Sequence, residues 1–212
     1  MERNKVFGEI VEDYLAKVAA APKEPLAARL GFAKGPEGLA VDFLAEPYLV
    51  TPRGVLDAGG RTPHHAVSVT LFKYILLCPE DTPQKKDWVR YRDFADAAPF
   101  AVPFTENAEK PLAKAFSGDV AALAEAAAKL GGSRADIGVS ADLCTVFPAL
   151  PRVPVLLIYN DRDEEFPAQC SILFEQRAEK YLDMECLAMV GWLLAARLIR
   201  AAGKEGRAGE LA

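Results

Sequence analysis

Closely spaced cysteines are missing from this 212-residue chain. It has four cysteines, and no two of them form a C-x-x-C pair, so the sequence contains neither a zinc knuckle nor a local iron-sulfur motif. Because unpaired cysteine is among the most buried residue types, the pattern predicts buried free thiols, and only the fold decides whether they converge. The four are Cys78, Cys144, Cys170 and Cys186.

Long apolar runs and basic blocks are missing as well. The longest uncharged apolar stretch, Cys186 to Ala196, has eleven residues, whereas a membrane span needs roughly 18 or more. Glu2, Arg3 and Lys5 interrupt the N-terminus, which therefore lacks the apolar core of a secretory signal. The net charge of -5 argues against binding to nucleic acid or an anionic membrane. We expect a cytoplasmic protein.

The common catalytic signatures do not occur: there is no G-x-S-x-G, P-loop, G-x-G-x-x-G or H-E-x-x-H. The only histidines are His64 and His65, predicted at the first turn of a helix, a setting that favours the neutral imidazole. Either is a candidate base. Adjacent helical residues diverge by about 100°, so the two histidines cannot easily bind one metal.

Helical periodicity dominates what is present. Asn4 to Ala21 predicts an amphipathic first helix, and further helices are expected over the five segments given last. Asp119 and Asp183 are predicted N-caps, while Gly31 and Gly131-Gly132 are predicted helix ends. Pro99 and Pro103 are expected to break the chain between helices. The segments are Pro25–Leu30, His64–Leu77, Lys110–Phe116, Asp119–Leu130 and Met184–Ala202.

Strands are predicted in two regions. Leu39 to Leu56 alternates in short runs, with turns expected at Glu46-Pro47 and Pro52-Arg53-Gly54. Ala141–Phe147, Val153–Tyr159 and Ser171–Phe174 form a second group, of which the middle strand is expected to be buried on both faces. Helices interrupted by short antiparallel strands predict an α+β fold. We expect one globular domain over residues 1–203 and a disordered tail over residues 204–212.

An acidic turn follows the most apolar strand. Asp161, Asp163 and Glu165 are candidate ligands of a divalent metal, since hard cations bind several carboxylate oxygens. The alternative is that the aspartates only fold back onto backbone N–H groups as Asx turns. Trp88, in a segment without a clear secondary-structure pattern, stands among Arg90, Tyr91 and Arg92, a cluster able to stack on a planar ligand.

The segment from Pro148 to Glu185 resembles a family of uncharacterised bacterial and archaeal domains of unknown function, found mostly in anaerobes. The shared pattern is a proline-rich lead, an apolar strand, a D-x-E-F-P-A turn, an I-L-F segment and a Y-L before an acidic helix start. Some members of that family carry an iron-sulfur motif, which this chain lacks. The matching residues are Pro151, Pro154, Asp163, Glu165, Phe166, Pro167, Ala168, Ile172, Leu173, Phe174, Tyr181, Leu182 and Glu185.

Three functional hypotheses follow. The first is a non-catalytic domain of anaerobic metabolism that binds a small molecule or a protein partner, with Asp163, Glu165, Phe166 and Trp88 at its site. The second is a metal-dependent enzyme that uses the acidic turn, with His64 or His65 as base. The third is a structural or assembly subunit. No cofactor is indicated by the sequence.

Overall fold

The computed structural model of the protein describes residues 12–204, which form helices and two antiparallel sheets. The α+β prediction is confirmed. The helices are α1 (residues 12–20), α2 (Lys23–Leu30), α3 (His65–Leu76), α4 (Ala98–Phe104), α5 (Lys110–Phe116), α6 (Val120–Lys129) and α7 (Met184–Ala201). The strands are β1 (Ala33–Lys34), β2 (Leu39–Phe43), β3 (Glu46–Thr51), β4 (Gly54–Leu56), β5 (Trp88–Arg90), β6 (Ser133–Arg134), β7 (Leu143–Leu150), β8 (Val153–Asn160) and β9 (Gln169–Glu175).

The two sheets differ in size and connection. The first is a meander in the order β1-β2-β3-β4, and the second has the order β5-β9-β8-β7-β6. Strand β8 lies in the middle of the second sheet, and five of its eight residues are buried. One face of β8, formed by Val153, Val155, Leu157 and Tyr159, is buried in the core. On the other face only Leu156 is buried, so the prediction of a strand buried on both faces was wrong. The backbone N–H of Leu44, at the tip of the first sheet, donates to the carbonyl of Ala149 in β7 and so joins the sheets.

Helix α7 is the centre of the helical layer. It packs against α3, α4, α5 and α6, and thirteen of its eighteen residues are buried. Asp183 is its N-cap, as predicted, and accepts a hydrogen bond from the Cys186 N–H at 2.9 Å. Lys73 of α3 reaches the same carboxylate at 3.0 Å. The helix start is therefore fixed both by a cap and by a neighbouring helix.

The prolines at 99 and 103 do not break the chain, and that prediction was wrong. Both lie inside α4, which continues through a π-helical segment, Thr105–Glu109, directly into α5. Pro99 falls in the first helical turn, where its missing N–H would have no intrahelical partner anyway. Pro103 precedes the wider π segment, and Phe104 beside it stacks on Tyr91 with ring centroids 4.2 Å apart. Tertiary packing thus stabilises a helix that proline disfavours.

Other boundaries need smaller corrections. Helix α3 begins at His65, and His64, the predicted first residue, is its N-cap. Strand β7 begins at Leu143 rather than at Ala141 and runs to Leu150. The α2 and α6 ends agree with prediction, with Gly31 and Gly131 at φ 78° and 71°. The first eight positions of the predicted helix from Asn4, and residues 205–212 of the predicted tail, lie outside the described part of the chain.

The turn between β2 and β3 is the main departure from the expected strand pattern. The sequence predicts a turn at Glu46-Pro47, but both residues belong to β3, and the turn is formed by Leu44 and Ala45 at φ 51° and 63°. Two-residue hairpin turns of this kind favour Asn-Gly because both central residues need positive φ. Leucine and alanine are strained there by about 1 kcal/mol or more each. Something outside the hairpin must stabilise it.

Candidate functional site

A cleft of about 690 Å³ lies between β3, the loop after β4 and the C-terminal half of α7. Its charged and imidazole groups come from all three elements, and apolar side chains line the space between them. We call it the arginine cleft and define it by Glu46, Asp57, Arg61, His64, Arg197 and Arg200.

Arg197 holds the strained hairpin against α7. Its side chain is only 4% exposed, and one terminal nitrogen, Nη1, donates to the carbonyl oxygens of both Phe43 and Leu44. These bonds span 154 and 153 residues of sequence. The planar guanidinium suits such a task, because it offers several donors in a fixed geometry. Arg197 therefore supplies the external support that the Leu44-Ala45 turn requires.

The other terminal nitrogen of Arg197 reaches the wall of the cleft. Nη2 donates to the Tyr48 hydroxyl at 2.7 Å and lies 2.9 Å from Glu46 Oε2. Tyr48 in turn donates to Glu46 Oε2 at 2.6 Å. Burial, helped by this bond to Glu46, raises the pKa of Tyr48 to about 12. The phenol therefore stays protonated and acts as a link between the arginine and the carboxylate.

Each arginine at the mouth of the cleft has a carboxylate partner. Arg200 Nη2 lies 2.8 Å from Glu46 Oε1, and Arg61 Nη2 lies 3.1 Å from Asp57 Oδ2. Asp57 also accepts from the Arg61 and Gly59 N–H groups, which closes the loop into a tight turn. The first of these backbone bonds is the main reason that the pKa of Asp57 falls below its usual value.

His64 presents a neutral imidazole to the cleft. Its Nδ1 accepts from the Ala66 N–H at 3.2 Å as the N-cap of α3, so the ring proton of the neutral form is on Nε2. Burial lowers the pKa of His64, and the neighbouring His65, whose ring centroid is 4.0 Å away, lowers it further. The predicted preference for neutral imidazole agrees with this setting. Its Nε2–H is a hydrogen-bond donor at pH 7.

The acidic turn lies elsewhere, between β8 and β9. Asp161 accepts from the Gly118 N–H at 2.7 Å, whereas Asp163 accepts from the Glu165 and Phe166 N–H groups as an Asx turn. The two aspartates therefore direct their oxygens to different backbone groups. Glu165 is exposed. Among residues 12–204, no group of three or more His, Cys, Asp or Glu side chains is arranged to hold a metal ion.

The residues predicted to share one binding site are not brought together. Trp88 pairs with Glu175, at the end of β9 away from the acidic turn, and Gln169 is at the near end. Six residues of strand separate these ends by about 20 Å. His64 lines the arginine cleft, and Asp161 and Asp163 line a different depression. Ligand binding at Asp163, Glu165 and Phe166 stays a prediction, and so does ligand binding at Trp88. The two would be separate sites.

Comparison with known families gives one match. Residues 23–197 match the model of a family described as Domain of unknown function (DUF3786). The chain belongs to the DUF3786 family. No curated protein and no solved structure matches the chain. The DUF3786 match contains the acidic turn, Trp88 and every defining residue of the arginine cleft except Arg200, which lies three residues beyond it.

The cysteines of this DUF3786 domain are all free. Only Cys186 is buried, and the other three are half-buried, so the prediction of buried thiols was too broad. Burial raises the pKa of all four. Each thiol is therefore less ionised at pH 7 than an exposed cysteine. Within the described residues, no helix is long and apolar enough to cross a membrane.

Sequence reasoning did not find the arginine cleft. Its groups come from positions as far apart as Glu46 and Arg200, and no local motif links them. One signal was available: Arg197 stands four residues after Leu193 and three after Leu194, on the buried face of helix α7 of the DUF3786 domain. A charged residue at such a position indicates a buried partner.

The pH dependence of stability tests the setting of His64. Because its folded pKa lies below the usual 6.5, the unfolded chain binds more protons just below that pH, and stability falls as the pH decreases. We expect the free energy of unfolding of the wild type to drop more between about pH 7.5 and about pH 5 than that of His64→Asn, since asparagine retains a cap without titrating. Urea unfolding at each pH measures it. If the free energies of unfolding of the wild type and of His64→Asn change equally with pH, the lowered pKa of His64 is contradicted.

Proposed function

We propose that this DUF3786 domain binds a small organic molecule with an anionic group in the arginine cleft and does so without catalysis. The volume of about 690 Å³ falls in the range of about 300–1,000 Å³ typical of small-molecule sites. Val67 and Leu193 give the cleft an apolar floor, and Pro47 and Pro63 add apolar walls. Small-molecule sites combine apolar walls with polar groups that fix the orientation of the ligand, and the lining of this cleft has both.

Arg197 is the observation that carries this proposal. It is a buried cation with its Nε lacking a hydrogen-bond partner among the described residues, and its pKa is lowered, chiefly by burial. Three arginines face two carboxylates in the lining, which leaves a net charge of +1. A positive charge beside poorly solvated walls attracts an anion more strongly than the same charge in water.

The groups in the cleft favour binding over chemistry. Tyr48 is protonated near pH 7, His64 uses Nδ1 as a helix cap, and both carboxylates are paired with arginines. A general base needs a free lone pair directed at the reacting proton, and the neutral His64 ring has none while Nδ1 caps α3 and Nε2 carries the proton. The described residues that line the cleft include neither serine nor cysteine as a nucleophile.

The test is calorimetric titration with 3-phenylpropionate and with inorganic phosphate. We expect Arg200→Gln to weaken binding of the better probe about 5- to 10-fold, as loss of one charged hydrogen bond at a half-exposed site predicts. Arg53→Gln is the matched control, because Arg53 is exposed and is not part of the cleft lining. Equal affinities in the wild type and Arg200→Gln would contradict the proposal.

Two other roles stay predictions. A metal-dependent enzyme would need further ligands beside Asp161, Asp163 and Glu165, since divalent cations take six or more oxygens. Metal analysis of protein purified without oxygen tests that role. A structural subunit would have a partner surface in place of a ligand. A cytoplasmic location and a link to anaerobic metabolism also stay predictions.

A further inference from the structure

We infer that the ligand of the arginine cleft is a zwitterion, an amino carboxylate with an apolar body, rather than a plain anion. This inference rests on the proposed function and concerns the class of ligand. It follows from how the charges in the cleft are already paired.

A plain anion meets a carboxylate wherever it approaches an exposed arginine. Arg200 is bound to Glu46 at 2.8 Å and Arg61 to Asp57 at 3.1 Å. An incoming carboxylate would therefore lie beside a second negative charge at either position. Like charges in close contact disfavour binding, and they select against partners that bring no compensating positive group.

Glu46 has acceptor capacity for such a positive group. Glu46 is 43% exposed, and its Oε1 bonds to Arg200 while Oε2 takes Tyr48 and Arg197. An ionised carboxylate offers about four lone-pair positions in total, so Oε1 has room for a further donor. A ligand ammonium placed there would satisfy that position and would neutralise the charge that repels a plain anion.

Donors for the ligand carboxylate are available in the same cleft. A guanidinium has five N–H donors, and Arg61 and Arg200 bring their guanidinium groups to the same cleft as the Nε2–H of His64. Val67 and Leu193 are buried residues that also line the cleft, and they suit an apolar side chain. The cleft thus combines an acceptor, donors and an apolar floor, the three features that recognise an apolar amino acid or a short apolar peptide.

Three compounds with one carbon skeleton test the inference. L-phenylalanine has both charged groups, 3-phenylpropionate lacks the amine, and 2-phenylethylamine lacks the carboxylate. We expect L-phenylalanine to bind the wild-type protein at least about tenfold more tightly than either of the others, since each loses one charged hydrogen bond. The dipeptide Phe-Phe distinguishes a free amino acid from a short peptide as the ligand. If it binds more tightly than L-phenylalanine, the cleft is a peptide-binding site.

Glu46→Gln identifies the group that selects the ammonium. It should lower the ratio of the L-phenylalanine affinity to the 3-phenylpropionate affinity about tenfold. The comparison among the three compounds on the wild type needs no variant and stands even if Glu46→Gln unfolds. If 3-phenylpropionate binds as tightly as L-phenylalanine, the zwitterion inference is wrong and the anion site survives. If L-phenylalanine, 3-phenylpropionate and phosphate all fail to bind, both the zwitterion inference and the proposed function are wrong.

Discussion

Arg197→Met is expected to lower the free energy of unfolding by about 3–5 kcal/mol, because it removes one partner of a buried, multiply bonded cation. The carbonyl oxygens of Phe43 and Leu44 would lose the donor that each takes from Nη1. Tyr48 would lose the group that holds it against α7, and Glu46 would keep only Arg200 as a partner on that helix. Methionine fills much of the same volume, so the effect reports the polar contacts rather than a cavity.

Urea unfolding of the two proteins measures this effect as a shift in midpoint at constant slope. Arg200→Met is the matched control: it removes the same charge from the same helix at a side chain that is 51% exposed, and we expect a loss below about 1 kcal/mol. Arg197→Lys should recover only part of the stability, since an ammonium lacks the fork geometry. A loss below about 1 kcal/mol in Arg197→Met would show that the hairpin does not depend on this residue.

Gly191→Ala is expected to destabilise the protein by about 2–3 kcal/mol, although alanine is the better helix former. A Cβ atom at position 191 would lie 2.4 and 2.7 Å from two ring carbons of Phe104. That ring is buried and stacked on Tyr91, so it has little space to move. The clash should outweigh the helix-propensity gain of about 1 kcal/mol.

A double-mutant cycle separates the clash from other effects of the substitution. Phe104→Leu removes the ring edge, so Gly191→Ala should cost much less in that background than in the wild type. Thermal or urea unfolding of the four proteins gives the coupling energy. Equal costs in both backgrounds would mean that the contact between α7 and Phe104 does not limit the residue at position 191.

Most of the architecture follows from local pattern. The apolar run of β8, the cap at Asp183 and the glycine ends of α2 and α6 are short-range signals, and the structure agrees with them. Errors occur where tertiary contacts override propensity. Pro103 is helical because α4 packs against α7 and Phe104 of α4 stacks on Tyr91. The Leu44-Ala45 turn forms because Arg197 donates to the Leu44 carbonyl. Neither cause is visible within a window of ten or so residues.

The candidate site was harder to predict than the fold. The acidic turn was predicted as a metal site because its carboxylates are close together in sequence. In the structure, Asp161 and Asp163 accept hydrogen bonds from backbone N–H groups. The arginine cleft draws on β3, a loop and α7, so its residues become neighbours only after folding. His64 was predicted as a site residue from its residue type, but the other residues that line the arginine cleft were not predicted.

The strained hairpin also sets an order of events during synthesis. Leu44 and Ala45 emerge from the ribosome about 150 residues before Arg197, so the nascent β2-β3 turn has no guanidinium to satisfy its carbonyls. A turn that is locally unfavourable and needs so distant a contact for its stability is a poor nucleus for folding. The first sheet should therefore become native late, when α7 docks, and a nascent chain stalled before residue 197 should be sensitive to protease at this hairpin.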